Sequence, residues 1–371
     1  MGRPADSGIA VTGLRDSLEA GLTLPASWYS EPAVLELERE RIFARTWQYV
    51  GHAGQVAEPG SFAASSCAHV PVVLVRDQDD SLRGFVNVCR HRGHVVAEGC
   101  GRRETLQCPY HAWTYGLDGT LRRAPRSERE PGFDPGAYSL LPVAVDTWGP
   151  LVFCNPDPDA APLADTLGEL PDLVRTSGLD FGSLRFHGRR EWELEANWKI
   201  AVENYLECYH CPVAHPSFSR LIDVDPDSYV LEARGLALCQ FGPVRESALT
   251  GNGAPYPLDG TSRQGQYHYL WPNFAINVYP GTRGFSVDLW RPDGPARTVG
   301  WADYFFGDDV AEETIGEVIA FSAQVGGEDT ALVESVHRGL ASGQVPSGRL
   351  LLSSEHLIQE FQRLVLDALA G

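Results

Sequence analysis

Two short segments, each carrying one cysteine and one histidine, constrain this chain more than any other feature. They are Cys89-Arg90-His91 and Cys108-Pro109-Tyr110-His111, with residues 92–107 between them. Two thiolates and two imidazoles on neighbouring loops can hold one zinc ion or one 2Fe–2S cluster. Zinc sites usually keep like ligands together, whereas each arm here supplies one Cys and one His. The pattern favours a cluster with both thiolates on one iron and both imidazoles on the other; structural zinc, or unligated side chains, is the alternative.

The texture of the chain changes twice along its length of 371 residues, which suits two domains. The first part, residues 1–44, is expected to be helical, because an amphipathic pattern over Glu31–Trp47 begins in it and predicts a helix. Residues 45–156 contain short β-rich runs such as Val70–Val75, separated by Gly, Pro and Asp, and predict a small all-β domain. A Pro- and Asp-rich linker over 157–164 opens the last part, residues 157–371.

The last part alternates strand-like and helical patterns, which predicts an α+β domain with an antiparallel sheet. We expect the N-terminal helical segment, residues 1–44, to belong to this domain. The predicted helices are Asn197–His210, Asp329–Leu340 and Ser354–Leu369, and the predicted strands are Tyr229–Leu238, His268–Tyr279, Phe285–Trp290 and Thr298–Phe306.

Composition excludes several classes of protein. A formal net charge of −19 without a basic patch argues against a nucleic-acid partner. This acidity either serves solubility or provides a face for a basic redox partner. No apolar run of membrane-spanning length and no signal pattern occur, so we expect a soluble, cytoplasmic protein. With no secretion signal, the 8 cysteines predict metal ligands and buried thiols rather than disulfides, with Cys67, Cys154 and Cys239 in the core.

A second group of metal-binding side chains follows the β domain. His210 and His215 are five residues apart, and Pro212 between them lets the chain turn so that the two imidazoles converge. Two histidines and one carboxylate, with open positions, form the facial triad of non-haem Fe(II) oxygenases. Glu207 lies one helical turn before His210, so its carboxylate can accept a hydrogen bond from that imidazole.

The two groups occur in segments that resemble one known family. The sequence CRHRG followed by CPYHAWTYGLDGTL resembles the Rieske domain of ring-hydroxylating oxygenase α subunits. The resemblance implies an all-β Rieske [2Fe–2S] domain and a helix-over-antiparallel-sheet catalytic domain of the helix-grip, START-like type. It also implies that Cys89, His91, Cys108 and His111 hold the cluster, with Trp113 and Tyr115 packed beside the loops.

The resemblance extends to the mononuclear iron. It implies His210, His215 and Asp329 as ligands, with Asp329 opening a helix after Gly326 and Gly327. Glu328 and Glu334 are the alternative carboxylates. Glu207 would carry electrons between the two metal centres, and Asn204 is a further candidate for the catalytic site. Cys208 and Cys211 are expected to pack in the core.

The implied activity is that of a terminal oxygenase. It would use O₂ to hydroxylate or oxidatively demethylate a small organic substrate. Electrons would come from NAD(P)H through a separate flavin or iron–sulfur reductase or a ferredoxin, since the chain lacks a dinucleotide motif. The family also implies a homotrimer. The alternatives are an electron carrier without oxygenase activity and a binding protein with an inactive catalytic domain.

The segment ENYLECYHCPVAHPSF, residues 203–218, resembles the branch acting on quaternary ammonium compounds such as carnitine, choline, glycine betaine and stachydrine. It also resembles some aromatic-acid dioxygenases. A cation would suit an aromatic pocket, and a carboxylate would need a basic partner. The candidates are Tyr205, Tyr267, Tyr269, Trp271 and Phe274 for the first role, and Arg263, Arg283 and Arg291 for the second.

Overall fold

The computed structural model describes residues 13–250, 253–258 and 262–370. The chain divides into two compact units, one formed by Met1–Ile42 with Leu167–Gly371 and the other by Phe43–Thr166. Every helix in the described ranges is too short or too polar to span a lipid bilayer.

The α-helices lie mostly outside the second of these units. Their bounds are α1 Leu14–Glu19, α2 Pro32–Glu38, α3 Leu163–Leu167, α4 Leu170–Arg175, α5 Trp198–Tyr205, α6 Cys211–Ala214, α7 Pro216–Leu221, α8 Glu246–Leu249, α9 Glu312–Ala341 and α10 Leu352–Ala370. A π-helical turn, Arg39–Phe43, follows α2 directly, so the amphipathic pattern around it is only partly α-helical.

The unit Phe43–Thr166 is built from antiparallel strands, as the β-rich runs predict. A seven-stranded sheet has the order β1-β10-β9-β4-β3-β2-β5, and a three-stranded sheet has the order β6-β7-β8. The strands are β1 Gln48–His52, β2 Ser61–Cys67, β3 Val70–Arg76, β4 Leu82–Val86, β5 Cys100–Arg102, β6 Thr105–Gln107, β7 Thr114–Gly116, β8 Leu121–Arg123, β9 Pro142–Trp148 and β10 Leu151–Asn155.

The core of this unit explains two of its cysteines. Cys67 and Cys154 are fully buried thiols among valines such as Val72 and Val152, as expected for core residues. Cys89 and Cys108 belong to a separate apolar cluster under the two Cys-His loops. These loops connect β4 to β5 and β6 to β7, so the core supports both from below.

The other unit contains one seven-stranded antiparallel sheet with helices packed on it, which confirms the predicted α+β architecture. Its order is β11-β17-β16-β15-β14-β13-β12. The strands are β11 Leu184–Leu194, β12 Val230–Arg234, β13 Ala237–Pro243, β14 Gln264–Leu270, β15 Phe274–Val278, β16 Gly284–Pro292 and β17 Thr298–Gly307. Helix α5 packs on β16 and α9 on β11, so the sheet and these helices enclose the space between them.

Two predicted strands are each a hairpin. The run Tyr229–Leu238 contains a turn at Gly235, whose φ of 64° suits a residue without a Cβ. The run His268–Tyr279 contains the turn that includes Pro272. Continuous β propensity hid both turns, because a tight turn needs only one or two special residues.

The predicted helix Asn197–His210 is wrong at its end. Asn197 caps α5 as its side chain accepts a hydrogen bond from the Lys199 N–H at 3.1 Å. The helix stops at Tyr205, however, because the Glu207 carboxylate takes the N–H groups of Tyr209 and His210. A side chain that captures backbone donors in this way replaces the helical hydrogen bonds.

The predicted helix Asp329–Leu340 is too short. Helix α9 begins at Glu312, so Asp329 lies in its interior and not at its start. Gly326 and Gly327 continue the helix instead of loosening it. Each interior glycine costs about 1 kcal/mol relative to alanine, which the packing of the helix along residues such as Val318 and Phe321 outweighs.

Two candidate metal centres

The two Cys-His loops have the same backbone design. In the first, the Cys89 carbonyl accepts the Gly93 N–H at 3.0 Å, and in the second the Cys108 carbonyl accepts the Ala112 N–H at 3.0 Å. Gly93 and Ala112 have positive φ values of 75° and 56°, which close each turn tightly. Each loop therefore presents its cysteine and its histidine from one rigid turn.

The side chains divide by burial. Cys89 and Cys108 are 3% and 2% exposed, whereas His91 and His111 are exposed. The two imidazole rings lie with their centroids 4.6 Å apart. This arrangement fits a cluster whose thiolate-bound iron is buried and whose histidine-bound iron lies at the surface, where electrons can enter and leave.

The four donor groups form a buried thiol pair and an exposed imidazole pair, which suits the two irons of a cluster. Burial, together with the adjacent Cys89 thiol, raises the pKa of Cys108. Two buried thiolates side by side need positive charge between them, which iron ions would supply.

Neighbouring aromatic residues hold the loops in place. The Trp113 ring stacks on His91 with the centroids 5.0 Å apart. The Tyr115 hydroxyl lies 3.3 Å from the Cys89 Sγ atom and accepts the Arg90 N–H at 3.0 Å. Both residues were expected beside the loops from the resemblance. The Nδ1 atom of His94 lies 2.6 Å from the carbonyl of its neighbour Val95.

The second centre is formed by His210, His215 and Asp329, whose ligand atoms all lie within 4.8 Å of one another. The Nε2 atoms of the two histidines are 3.1 Å apart. Asp329 Oδ1 lies 3.0 Å from His215 Nε2 and 3.5 Å from His210 Nε2. The chain brings together all three side chains that the sequence and the family resemblance pointed to, and their geometry suits one octahedral ion with positions left open.

The outer nitrogens of both histidines are held by carboxylates. Glu207 contacts the Nδ1 atom of His210 through Oε1. Glu328 Oε2 lies 2.8 Å from the Nδ1 atom of His215. Both contacts fix the imidazoles with Nε2 facing the centre. Glu328, the alternative ligand, therefore lies outside the triad, and the other alternative, Glu334, accepts the Glu195 N–H at 3.1 Å instead.

The charges of the second centre favour a cation. Burial lowers the pKa of His210, but hydrogen bonds to Asp329 and Glu207 outweigh it and raise the pKa to about 9. Burial raises the pKa of Asp329, but both histidines, with Asn204, lower it to about 2. The surroundings thus stabilise positive charge between these side chains, and a divalent iron supplies that charge without a proton. Asn204 contacts Asp329 and lines the same cavity.

Cys208 and Cys211 pack in the core, as expected, but the expectation that the cysteines form no disulfide is wrong. They are joined by a disulfide with the Cα atoms 4.9 Å apart. The irregular backbone between α5 and α6 brings the two thiols together, which a continuous helix would not do as readily. The closed loop contains Tyr209 and His210, so the bond ties down the chain around one histidine of the triad.

A cavity of about 230 Å³ opens next to the triad. Of the predicted aromatic residues, Tyr205 and Tyr267 line it, whereas Tyr269, Trp271 and Phe274 are core residues. None of the three candidate arginines lines it. The sequence did not point to the main wall residues, which are Arg190, Trp192, Tyr229, Tyr279, Asp288, Trp290 and Tyr304. Alternation of charged and aromatic residues in β11 was the available signal.

Comparisons with known families cover both units. The Rieske [2Fe-2S] domain family matches residues 46–144, and the family described as the ring hydroxylating alpha subunit (catalytic domain) matches residues 181–371. Members of these families hold a Rieske cluster and a mononuclear iron. The two centres described above lie in the matching ranges.

Relatives match over nearly the whole chain. The carnitine monooxygenase oxygenase subunit of Acinetobacter pittii is 34% identical over 92% of this chain and 94% of the relative. The choline monooxygenase of Spinacia oleracea is 33% identical over 91% of this chain and 76% of the relative.

Solved structures agree with this match. A quaternary ammonium Rieske monooxygenase in complex with an inhibitor has a TM-score of 0.85 at 31% identity, covering 95% of this chain and 98% of the other. Naphthalene 1,2-dioxygenase from Rhodococcus sp., 21% identical over 96% of this chain and 98% of the other, shares the fold with a TM-score of 0.79. The presence of both domains excludes a simple electron carrier. The chain therefore belongs to the Rieske non-haem iron oxygenases, as the α subunit that carries the oxygenase centre.

Proposed function

We propose that this oxygenase hydroxylates or oxidatively demethylates a quaternary ammonium compound. The observation that carries the proposal is the aromatic wall of the cavity beside the triad. Tyr205 and Trp290 have ring centroids 5.2 Å apart, and Trp192 lies 6.3 Å from Trp290. Aromatic faces attract a cation that cannot donate hydrogen bonds, as in recognition of quaternary ammonium groups.

We further propose specific roles for the site residues. Cys89, His91, Cys108 and His111 hold the [2Fe–2S] cluster, and His210, His215 and Asp329 hold the mononuclear iron. The bound iron supplies the activation of O₂. One oxygen atom enters the substrate and the other leaves as water, with two electrons and two protons consumed. Glu207 orients His210 and is the link by which electrons enter this site.

The proposal extends to partners and assembly. A relative with 31% identity that acts as a quaternary ammonium Rieske monooxygenase is described as having inter-subunit electron transfer. A homotrimer of this chain would supply such a route between subunits. The electrons would come from NAD(P)H through a separate reductase or ferredoxin in the cytoplasm. The net charge of −19 suits an electrostatic attraction to a basic redox partner.

A single-turnover assay tests the proposed activity. The purified holoenzyme is reduced chemically and exposed to O₂ with L-carnitine, γ-butyrobetaine, choline or benzoate. Products are identified by mass spectrometry. We expect a product from a quaternary ammonium compound: a demethylated amine with formaldehyde, a cleaved amine with an aldehyde, or an oxidised alcohol. His215→Ala, which removes one triad imidazole, is the control for iron-dependent turnover.

The other results have clear meanings. A hydroxylated or cis-diol product from benzoate alone would contradict the substrate proposal and move the enzyme to the aromatic-acid dioxygenases. No product from either group, with both metals present, would leave the oxygenase assignment standing and refute these substrates.

A further inference from the structure

Three neighbouring strands, β11, β17 and β16, form part of the floor of the cavity. Antiparallel register places Arg190 of β11 opposite Ala302 of β17, and Ala302 opposite Asp288 of β16. We call these three residues the charged row. Since adjacent strands lie about 4.8 Å apart, the backbones at the two ends of this row are roughly 10 Å apart. All three residues line the cavity, so their side chains share one face of the sheet.

The next row along the same strands is aromatic. Trp192, Gly300 and Trp290 are paired in the same way, and we call them the tryptophan row. A Cβ atom on Gly300 would lie 2.4 Å from the ring of Trp192, so this position is closed to larger residues. The small residues Gly300 and Ala302 thus form the bottom of a trough whose two walls carry Arg190 with Trp192 and Asp288 with Trp290.

The two charges of the trough are not paired with each other. Arg189, on the opposite face of β11, pairs with Asp303 at 2.6 Å, but Arg190 has no ion-pair partner within 4.0 Å in the described ranges. Asp288 instead accepts a hydrogen bond from the Asn277 Nδ2 atom at 2.6 Å. A charged side chain that faces an apolar cavity without a counter-charge costs free energy, and a ligand of opposite charge would offset that cost.

Each charge has a fixed surrounding. The Asn277 that binds Asp288 also accepts the Tyr205 hydroxyl at 2.8 Å, which joins the carboxylate to an aromatic residue of α5. Arg190 is the only arginine or lysine among the residues that line the cavity, all of which the structure describes. A carboxylate that entered this cavity would therefore find one guanidinium partner apart from the triad histidines.

Resting on the proposed quaternary ammonium chemistry, we propose that the substrate is a zwitterion whose ammonium group lies against Asp288, Trp290 and Tyr205 while its carboxylate binds Arg190. The trough rejects the two simpler charge types for different reasons. A plain cation such as choline leaves the Arg190 guanidinium without an anionic partner, with only the Tyr304 hydroxyl, among the described residues, to bond. A plain anion such as benzoate places no cation at the half-buried Asp288 carboxylate. A carboxylated trimethylammonium compound satisfies both ends.

Binding to the oxidised holoenzyme tests this inference, since the enzyme does not turn over without electrons. Dissociation constants for L-carnitine, γ-butyrobetaine, choline and benzoate are measured by calorimetry. We expect the two zwitterions to bind about 10- to 100-fold more tightly than choline, the usual range for a charge-assisted pair. In Arg190→Gln the ratio of the choline and zwitterion dissociation constants should fall to near one. Arg190→Lys should retain part of the preference, because lysine keeps the positive charge but lacks the planar guanidinium that binds a carboxylate through two hydrogen bonds.

Arg185→Gln is the matched control. Arg185 lies on the same strand, is exposed, and donates to the carbonyls of Gly182 and Leu184 at 2.9 and 3.1 Å. Removal of its charge should leave the zwitterion-to-choline ratio unchanged. Asp288→Asn should weaken the binding of L-carnitine and of choline by a similar factor, because both compounds present the same trimethylammonium group.

The outcomes separate this inference from the proposed function. Choline bound as tightly as L-carnitine by the wild type, or a preference that survives in Arg190→Gln, would overturn the zwitterion inference and leave the quaternary ammonium proposal intact. Binding of benzoate alone, or no binding of any ammonium compound, would overturn both. If Arg190→Gln does not fold with its metals, the wild-type ratio and Arg190→Lys decide.

Discussion

The cluster loops and the iron triad reach metal-binding geometry by opposite routes. All four proposed cluster ligands lie within residues 89–111, on two turns of nearly identical backbone design. In the triad, His215 and Asp329 are 114 residues apart in the chain. His215 lies between the short helices α6 and α7, and Asp329 lies in the middle of α9. The cluster histidines are exposed, whereas His215 is 2% exposed. A local site can thus meet a partner at the surface, and a dispersed site can enclose a substrate.

The largest effect is expected where the cluster loops lose a ligand. Cys108→Ser removes one thiolate from the buried side of the proposed cluster and should abolish turnover. The visible absorbance of the cluster should disappear, while metal analysis still finds the mononuclear iron. Cys239→Ser is a control, because this buried thiol belongs to the other unit and to neither proposed set of metal ligands. Retention of the Rieske spectrum in Cys108→Ser would show that the ligand assignment is wrong.

The reverse pattern is expected for the triad. Asp329→Asn should abolish turnover and deplete the mononuclear iron, because a neutral amide replaces the only proposed anionic ligand. The cluster spectrum should be unchanged. Glu334→Gln, on the same helix but bonded to the Glu195 N–H, should keep both metals and activity. If Glu334→Gln lost the iron and Asp329→Asn kept it, the carboxylate assignment would be reversed.

The third effect separates the two carboxylates that hold the histidines. Glu207→Gln should leave both metals bound but stop electron delivery, so stopped-flow measurements should show a reduced cluster that O₂ no longer reoxidises at the wild-type rate. Glu328→Gln, the matched change at His215, should lower iron affinity by about 10- to 100-fold with electron delivery intact in the iron-loaded protein. Equal behaviour of the two variants would remove the special role of Glu207.

A smaller, several-fold effect is expected from pH. Burial, with Asp303, raises the pKa of Asp288 to about 6, although Asn277 and Arg190 oppose the shift. Its charge also acts on Tyr205, Tyr279 and Tyr304, whose pKa values are raised by burial first and by Asp288 to a smaller extent. Protonation below pH 6 removes the negative charge, so the KM for a quaternary ammonium substrate should rise as the pH falls. In Asp288→Asn this rise in KM should be absent. A wild-type KM that stays constant between pH 5 and 8 would contradict binding of the ammonium group by an ionised Asp288.

The smallest effect concerns stability of the catalytic unit alone. Burial raises the pKa of Glu203 to about 7, although hydrogen bonds from Tyr29 and Gln362 oppose the shift. A carboxyl group with a raised folded-state pKa stabilises the fold below its unfolded pKa and loses that contribution as the pH rises through 7. The loss is at most about 3 kcal/mol. The Tm of Glu203→Gln relative to the wild type should therefore increase by a few degrees from pH 5.5 to 8.5, as measured by scanning calorimetry; a constant difference would refute this.

The cluster loops were predictable because their information is local. Cys89, His91, Cys108 and His111 stand in two short motifs, and a turn needs only a few neighbouring residues to form. The same reasoning found His210 and His215, since Pro212 lies between them. It failed where side chains redirect the backbone: Glu207 ends α5 early, and Cys208 meets Cys211 in the irregular segment that results.

The sequence by itself determined the proposed cluster ligands, the two triad histidines, the order of the two domains and the family, whereas the structure brought Asp329 rather than Glu328 or Glu334 to the histidines. Only the tertiary structure decided the substrate cavity, because Arg190, Ala302 and Asp288 come from three strands whose order is not the chain order. Sequence alternation can show that Arg190 and Trp192 share a face of β11, but not which strand lies beside them. The pairing of β11 with β17, and of β17 with β16, places a guanidinium and a carboxylate across one trough, and long-range pairing of this kind is set by the packing of the whole sheet.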